Sequence, residues 1–263
     1  MRAKPRYIVG DKTALGVPSF DVAAGNVPDV SVVNKFGANS SLATSATETI
    51  WDGSTAYTFP TTASITHIRS AVDSATTQGM VVEVQGLDTN WDLTLQNATL
   101  DGTNSTTEVA LTTALRRVFR MKVLDASVAD QDIWVGATGM AAATASGIVQ
   151  AGNNQTLMAI YTVPAGRSAY VTNYYATLNK ASGGGATVGV SIKLWARDNA
   201  NGYARQIKHI AGIDSAANSA VVHNFEPYFK VTEKSDIFIE GTNQSGSVTA
   251  EVSAGFDLYL VDD

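Results

Sequence analysis

Val188-Gly189-Val190-Ser191-Ile192-Lys193-Leu194-Trp195 decides the fold class. Val188, Val190, Ile192 and Leu194 alternate with Gly189, Ser191, Lys193 and Trp195, so an extended chain here has one apolar face and one wetter face. A period of two marks a half-buried strand, because successive side chains leave a strand on opposite sides. The pattern recurs outward from this segment. Trp91, Leu93 and Leu95 alternate with Asp92, Thr94 and Gln96, and Phe119, Met121 and Val123 with Arg120 and Lys122. Near the end Phe256, Leu258 and Leu260 alternate with Asp257 and Tyr259. Short strands of this kind, separated by Gly, Asn and Asp turns, predict antiparallel sheets in sandwiches or barrels.

Composition agrees. The 263 residues are 44% hydrophobic but only 16% charged, the deficit being filled by Ala, Thr, Ser, Gly and Asn. That mixture suits strands, turns and surfaces laid against other protein rather than wet helices. The net charge of -6 argues against nucleic acid as a partner. No apolar run is long enough for a membrane span. The basic start, with Arg2, Lys4 and Arg6, lacks the apolar stretch of a signal peptide. The chain contains no cysteine, which excludes disulfides, thiolate metal sites and cysteine nucleophiles.

Residues 1–40 hold Pro5, Pro18 and Pro28 and keep no period, which predicts an extended N-terminal arm. The stretch 140–152 shifts to Ala, Gly, Ser and Thr and is expected to be a linker, the alternative being one helical turn at Met140-Ala141-Ala142-Ala143. It separates a first domain, 41–139, from a second, 153–263. The two halves share short matches. Tyr57-Thr58-Phe59-Pro60 resembles Tyr161-Thr162-Val163-Pro164, and Asp132-Ile133-Trp134-Val135 resembles Asp236-Ile237-Phe238-Ile239. Both matches lie at one offset, so the expectation is two tandem, duplicated, jelly-roll-like β-sandwiches.

No constellation for catalysis emerges, and the protein is expected not to be an enzyme. The sequence has no phosphate-cradling Gly-Lys-Ser/Thr loop, no paired-histidine zinc motif and no Gly-x-Ser-x-Gly elbow. His67, His209 and His223 have no sequence neighbours that suggest a triad or a metal site, and no cofactor is implied. Asp88-Thr89-Asn90-Trp91-Asp92 begins like a calcium loop but has Leu93 and Thr99 where that loop needs Gly and Glu, so a hairpin turn is expected. The candidate functional residues are instead aromatics on the wetter sides of strands. Trp195 shares a face with Ser191 and Lys193, Trp134 lies opposite Ile133 and Val135, and Phe238 opposite Ile237 and Ile239. Such residues are packed under a loop, used in a protein contact, or stacked on sugar. Arg2, Lys4 and Arg6 add a positive anchor on the arm.

Residues 154–166, from Asn154 to Gly166, resemble segments of virion structural proteins of tailed bacteriophages, and so does the ending from Ser253 to Asp263. Val33-Asn34-Lys35-Phe36-Gly37 and Ile50-Trp51-Asp52-Gly53 fit the same pattern. The resemblance implies β-sandwich folds and assembly into symmetric oligomers. It implies a capsid decoration or cement protein on the phage head, a homotrimer whose partners are the major capsid protein or other virion proteins. The alternative it leaves open is a tail, neck or fibre component that binds a host glycan. Either would be assembled in the bacterial cytoplasm and reside in the virion.

Overall fold

The structure, a computed structural model, describes residues 8–9, 12–13, 18–180 and 187–263. The chain opens with β1 (Ile8–Val9), β2 (Lys12–Thr13) and α1 (Pro18–Ala23), followed by β3 (Val30–Leu42) and β4 (Thr47–Thr49). A middle set follows: β5 (Ile65–Ser70), β6 (Val81–Leu87), β7 (Leu93–Thr99), β8 (Val109–Leu115), β9 (Arg117–Val123), β10 (Ile133–Gly136) and β11 (Gly147–Val149). The last set is β12 (Ile160–Thr162), β13 (Arg167–Lys180), β14 (Gly189–Asp198), β15 (Gln206–Asp214), β16 (Ala220–Val231), β17 (Ser235–Asn243) and β18 (Ala250–Asp262). The fold is all-β, and among the described residues every strand pairing is antiparallel.

The last set forms two sheets, β16-β13-β18-β3 and β12-β17-β14-β15, with β4 also lying along β17. Val188, Val190, Ile192 and Leu194 are all buried between them, as the alternation requires. Their pairs nest inside one another: β14 with β15, β13 with β16, β12 with β17, and β3 with β18. This is jelly-roll connectivity. Its outermost strand, β3, comes from the region expected to be a free arm. Val30–Leu42 instead forms the sheet edge, paired to β18 across most of the chain, with Asn34 donating to Asp257. The arm residues before 18, apart from β1 and β2, lie outside the described residues.

The units are therefore nested, not tandem. Between β3–β4 and β12 the chain leaves the jelly roll and builds a second pair of sheets, β11-β10-β5-β8 and β7-β6-β9. These share a core of Ile65, Ile68, Val82, Val84, Leu115, Met121 and Ile133. The expected linker contains a short 3-10 turn, Ala142–Thr144, and then supplies β11, which pairs with β10. Six consecutive strands pair alike in the two units: β5–β8, β6–β7, β6–β9 and β5–β10 repeat β13–β16, β14–β15, β14–β17 and β13–β18. The constant sequence offset does not map onto this correspondence. Ile133 lies in β10, whose counterpart is β18, whereas Ile237 lies in β17, and Tyr57 lies outside any strand while Tyr161 is in β12. Asp132-Ile133-Trp134 and Asp236-Ile237-Phe238 look alike because each strand has one face in its own core and the other against the same aromatic layer.

Where the chain leaves and re-enters the jelly roll, the backbone is tight. Ala159 donates to the carbonyl of Ile50, and β3 passes directly over this crossing at Gly37. A Cβ at Gly37 would collide with the Ala159 nitrogen and the Ile50 carbonyl oxygen, both backbone atoms that cannot swing aside. Gly37→Ala is expected to lower stability by about 1–3 kcal/mol, the usual cost of forcing atoms into a filled space. A urea unfolding midpoint unchanged from wild type would contradict this.

Candidate functional site

The aromatics singled out by alternation do leave their own cores, but they pack together instead of standing free. Phe238 is only 3% exposed, and Trp134 and Trp195 are half-buried against the same cluster, with Trp51, Tyr57, Met158 and Ile160. A chain of rings runs through it. Trp51 and Tyr57 meet at 5.0 Å, Tyr57 and Phe59 at 4.8 Å, Phe59 and Phe238 at 5.1 Å, and Phe238 stacks on Trp195 at 6.4 Å. Arg69 covers Trp134 and Arg205 covers Trp195 at 4.3 Å. The wetter side of each strand is thus the side on which the two units meet. Arg2, Lys4 and Arg6 lie outside the described residues.

A polar node joins the units beside this layer. Asp236 of β17, with no exposed surface, accepts from Arg117 Nε of β9 at 2.8 Å, from Asn199 Nδ2 at 2.9 Å and from Thr162 Oγ1 at 2.6 Å. Arg197 completes the set through its Nε at 3.1 Å. Burial alone would raise the Asp236 carboxyl, but the two arginines and Thr162 outweigh it and hold it below the usual carboxylate range. The donors are consumed within the fold, so the node is a clasp and not a binding site.

The free surface lies elsewhere, on strand edges that sequence reasoning did not single out. β7 ends the sheet β7-β6-β9, and β15 ends the sheet β12-β17-β14-β15. Each is the same strand of its unit, and each carries two exposed aliphatic side chains. Leu93 and Leu95 are 53% and 61% exposed; Ile207 and Ile210 are 43% and 52% exposed. On β15 a bulge makes this possible. Leu194 faces His209 while Trp195 faces Ile207, so Lys208 is skipped and both isoleucines fall on the outer face. β7 has no bulge, no proline and no charge, and its register with β6 is unbroken from Leu93 to Thr99. Natural edges usually carry such devices, because unpaired backbone groups beside apolar side chains invite another strand. Gln96 points inward and pairs with the backbone of Thr113, and Ala98 is buried. Thr94 and Gln96 therefore face the core side, and the leucines share the outer face with Asn97 and Thr99. The preceding Asp88–Asp92 segment is a turn, as expected, with Asp88 accepting from the amides of Asn90 and Asp92.

Next to β15, β16 exposes Val222 and Tyr228, and His209 and His223 stack at 3.7 Å across the gap between the two sheets. Tyr174 closes this pair with a 2.7 Å hydrogen bond to His209 Nδ1. Partial burial, and then His223, push the His209 pKa down. At the end of these strands a cleft of about 220 Å³ is lined by Asp198, Tyr203, Gln206, Lys208, Lys230 and Thr232. Among the described residues no helix is long and apolar enough to cross a membrane, and no group of three or more His, Asp and Glu is placed to hold a metal ion. No model of a known protein family matches the chain, and no curated protein matches it either.

Proposed function

We propose that the protein is a structural component of a tailed-bacteriophage virion, acting by protein–protein contact and without catalysis. The most concrete form of the reading is a decoration or cement protein on the outside of the head. There a homotrimer clamps the major capsid protein of neighbouring capsomers. The observation that carries it is the pair of strand edges with exposed aliphatic residues, Leu93 and Leu95 on β7, which has no bulge, proline or charge, and Ile207 and Ile210 on β15. Surfaces of this kind are covered in service, and edge pairing is a common way to cover them. The pairing order common to both units fits duplication of one sandwich, which multiplies contact surfaces along a single chain. The low charge fits burial in an assembly.

A second reading, a tail or fibre component that holds a host glycan, is favoured by the cleft beside β15. An exposed tyrosine, Tyr203, stands there among Asp198, Gln206 and Thr232, a set that can stack on a sugar ring and hydrogen-bond its hydroxyls. Purified protein added to phage heads that lack it separates the readings. The decoration reading expects saturable binding, a copy number that scales with the number of capsomers, and heads that resist heat or osmotic shock better when coated. Occupancy restricted to the tail or neck, or no binding to heads, would overturn it.

A further inference from the structure

We infer that the chain assembles head to tail with copies of itself, the β7 edge of one copy pairing with the β15 edge of the next. This deepens the oligomer proposed above, but it concerns only how copies meet. Particle location is judged by copy number and stands or falls separately.

Charge selects the occupant. Residues 88–115, which contain β7 and β8, hold four carboxylates, Asp88, Asp92, Asp101 and Glu108, and no lysine or arginine. Pairing β7 with β7 of a second copy would bring two such sets within about one Debye length, roughly 8–10 Å. Like charges across an interface are costly. The β15 edge has the opposite character at its beginning, with Lys208, and with Lys230 of β16 lining the same cleft, while Arg205 is already paired with Glu240.

Shape agrees with charge. An antiparallel register that sets Leu95 opposite Ile210 also sets Leu93 opposite Gly212 and brings Asn97 to the bulge at Lys208. Nothing lies within 4 Å of where a Cβ on Gly212 would be, so a leucine has room there. At the far end Asp92 comes near Asp214, whose carboxylate is already taken by the amides of Ala216 and Ala217. The pairing joins aliphatic to aliphatic without setting the acidic β7 segment against a second copy of itself. Because two different surfaces meet, the contact is heterologous, and such contacts close into rings when the rotation allows.

Two glutamate variants of the full chain test this. In Leu95→Glu the β7 edge is blocked, and in Ile210→Glu the β15 edge is blocked. Both positions are more than half exposed, so far-UV circular dichroism and thermal midpoint should match wild type. By sedimentation velocity or native mass spectrometry, wild type should be an oligomer and each variant a monomer. An equimolar mixture should form dimers and nothing larger, because one intact edge of each kind remains. The double variant Leu95→Glu/Ile210→Lys should recover the oligomer, which loss of folding would not permit. A monomeric wild type, a variant that keeps the wild-type mass, a mixture that stays monomeric, or a double variant that does not recover would each overturn the inference.

Discussion

Asp236→Ala is expected to destabilise the protein by about 3–5 kcal/mol, the range for removing one partner of a buried ion pair. The cost comes less from the lost attraction than from what is left behind. Arg117 is 3% exposed, and its guanidinium is held between Phe59 and Trp91, with ring centroids 5.2 Å and 5.1 Å from its carbon. Without Asp236 that charge keeps only carbonyl partners, Pro60 and Arg116, in a place water does not reach. Arg197, about a third exposed, can turn to solvent and loses little. Arg117 belongs to the inserted unit and Asp236 to the jelly roll, so the damage falls on their junction. Urea unfolding should show a lower midpoint and a broader or split transition as the units uncouple. The sign of the pH effect follows from the lowered carboxyl pKa. The clasp contributes fully above the unfolded value of 3.8 and is lost as pH falls through the folded value, so the variant should lack this part of the acid sensitivity. A loss below ~1 kcal/mol, the level of an exposed pair, would show that the node is not a clasp.

The fold class was legible because strand alternation is local. Val188 to Leu194 can be read without knowing any partner. What was not legible depends on contacts the local pattern does not encode. β3 pairs with β18, and Asn34 meets a residue 223 positions away, Asp257. The β3 sequence itself gives little help. Its first half is largely exposed on both faces, and the buried positions that follow are Lys35, Gly37 and Asn39, so the burial alternates there but no apolar period marks it. The aromatics failed differently. Alternation placed Trp134, Trp195 and Phe238 outside their own sheets, which is right, but nothing local says that the other unit lies there. A hint existed in β17, where Asp236-Ile237-Phe238-Ile239 has hardly any polar break, as in strands buried on both faces. On β7 the eye follows Trp91, Leu93 and Leu95 to the core, whereas the core takes Ala98, and Gln96 satisfies itself on Thr113. A strand with two leucines and no charge is better read as one whose outer face awaits a partner.

Stability is expected to pass through a minimum near pH 7, set by two buried groups of opposite sign. Lys35 of β3 is 8% exposed and donates to the carbonyl of Phe119 on β9. That carbonyl lies where the β6–β9 register slips between Gln85 and Gly86, so a bulge in one unit is served by a lysine from the other. Burial, and then Arg120, lower the Lys35 pKa from 10.5 to about 7. Between those values the unfolded chain binds a proton that the folded chain does not, so stability rises with pH, by on the order of 4–5 kcal/mol across the window. Asp52 works the other way. Burial raises its carboxyl from 3.8 to about 7, the amide of Leu157 opposing this and Asp132 adding to it. From pH 3.8 to 7 the folded chain keeps a proton that the unfolded chain has lost, and stability falls as pH rises. Lys35→Met should therefore abolish the rise above pH 7 and stabilise the protein at neutral pH. The lost hydrogen bond to Phe119 offsets this by about 1 kcal/mol. Asp52→Asn should flatten the acid limb while keeping an acceptor for Leu157. The measurement is the urea midpoint of wild type and both variants from pH 4 to about 9.5. It stops there because Tyr57 and Tyr161, pushed up by burial, reverse the slope once the unfolded tyrosines ionise near 10. A wild-type midpoint that does not rise between pH 7 and about 9.5, or a Lys35→Met protein that retains the rise, would show that Lys35 is not the titrating group at the junction.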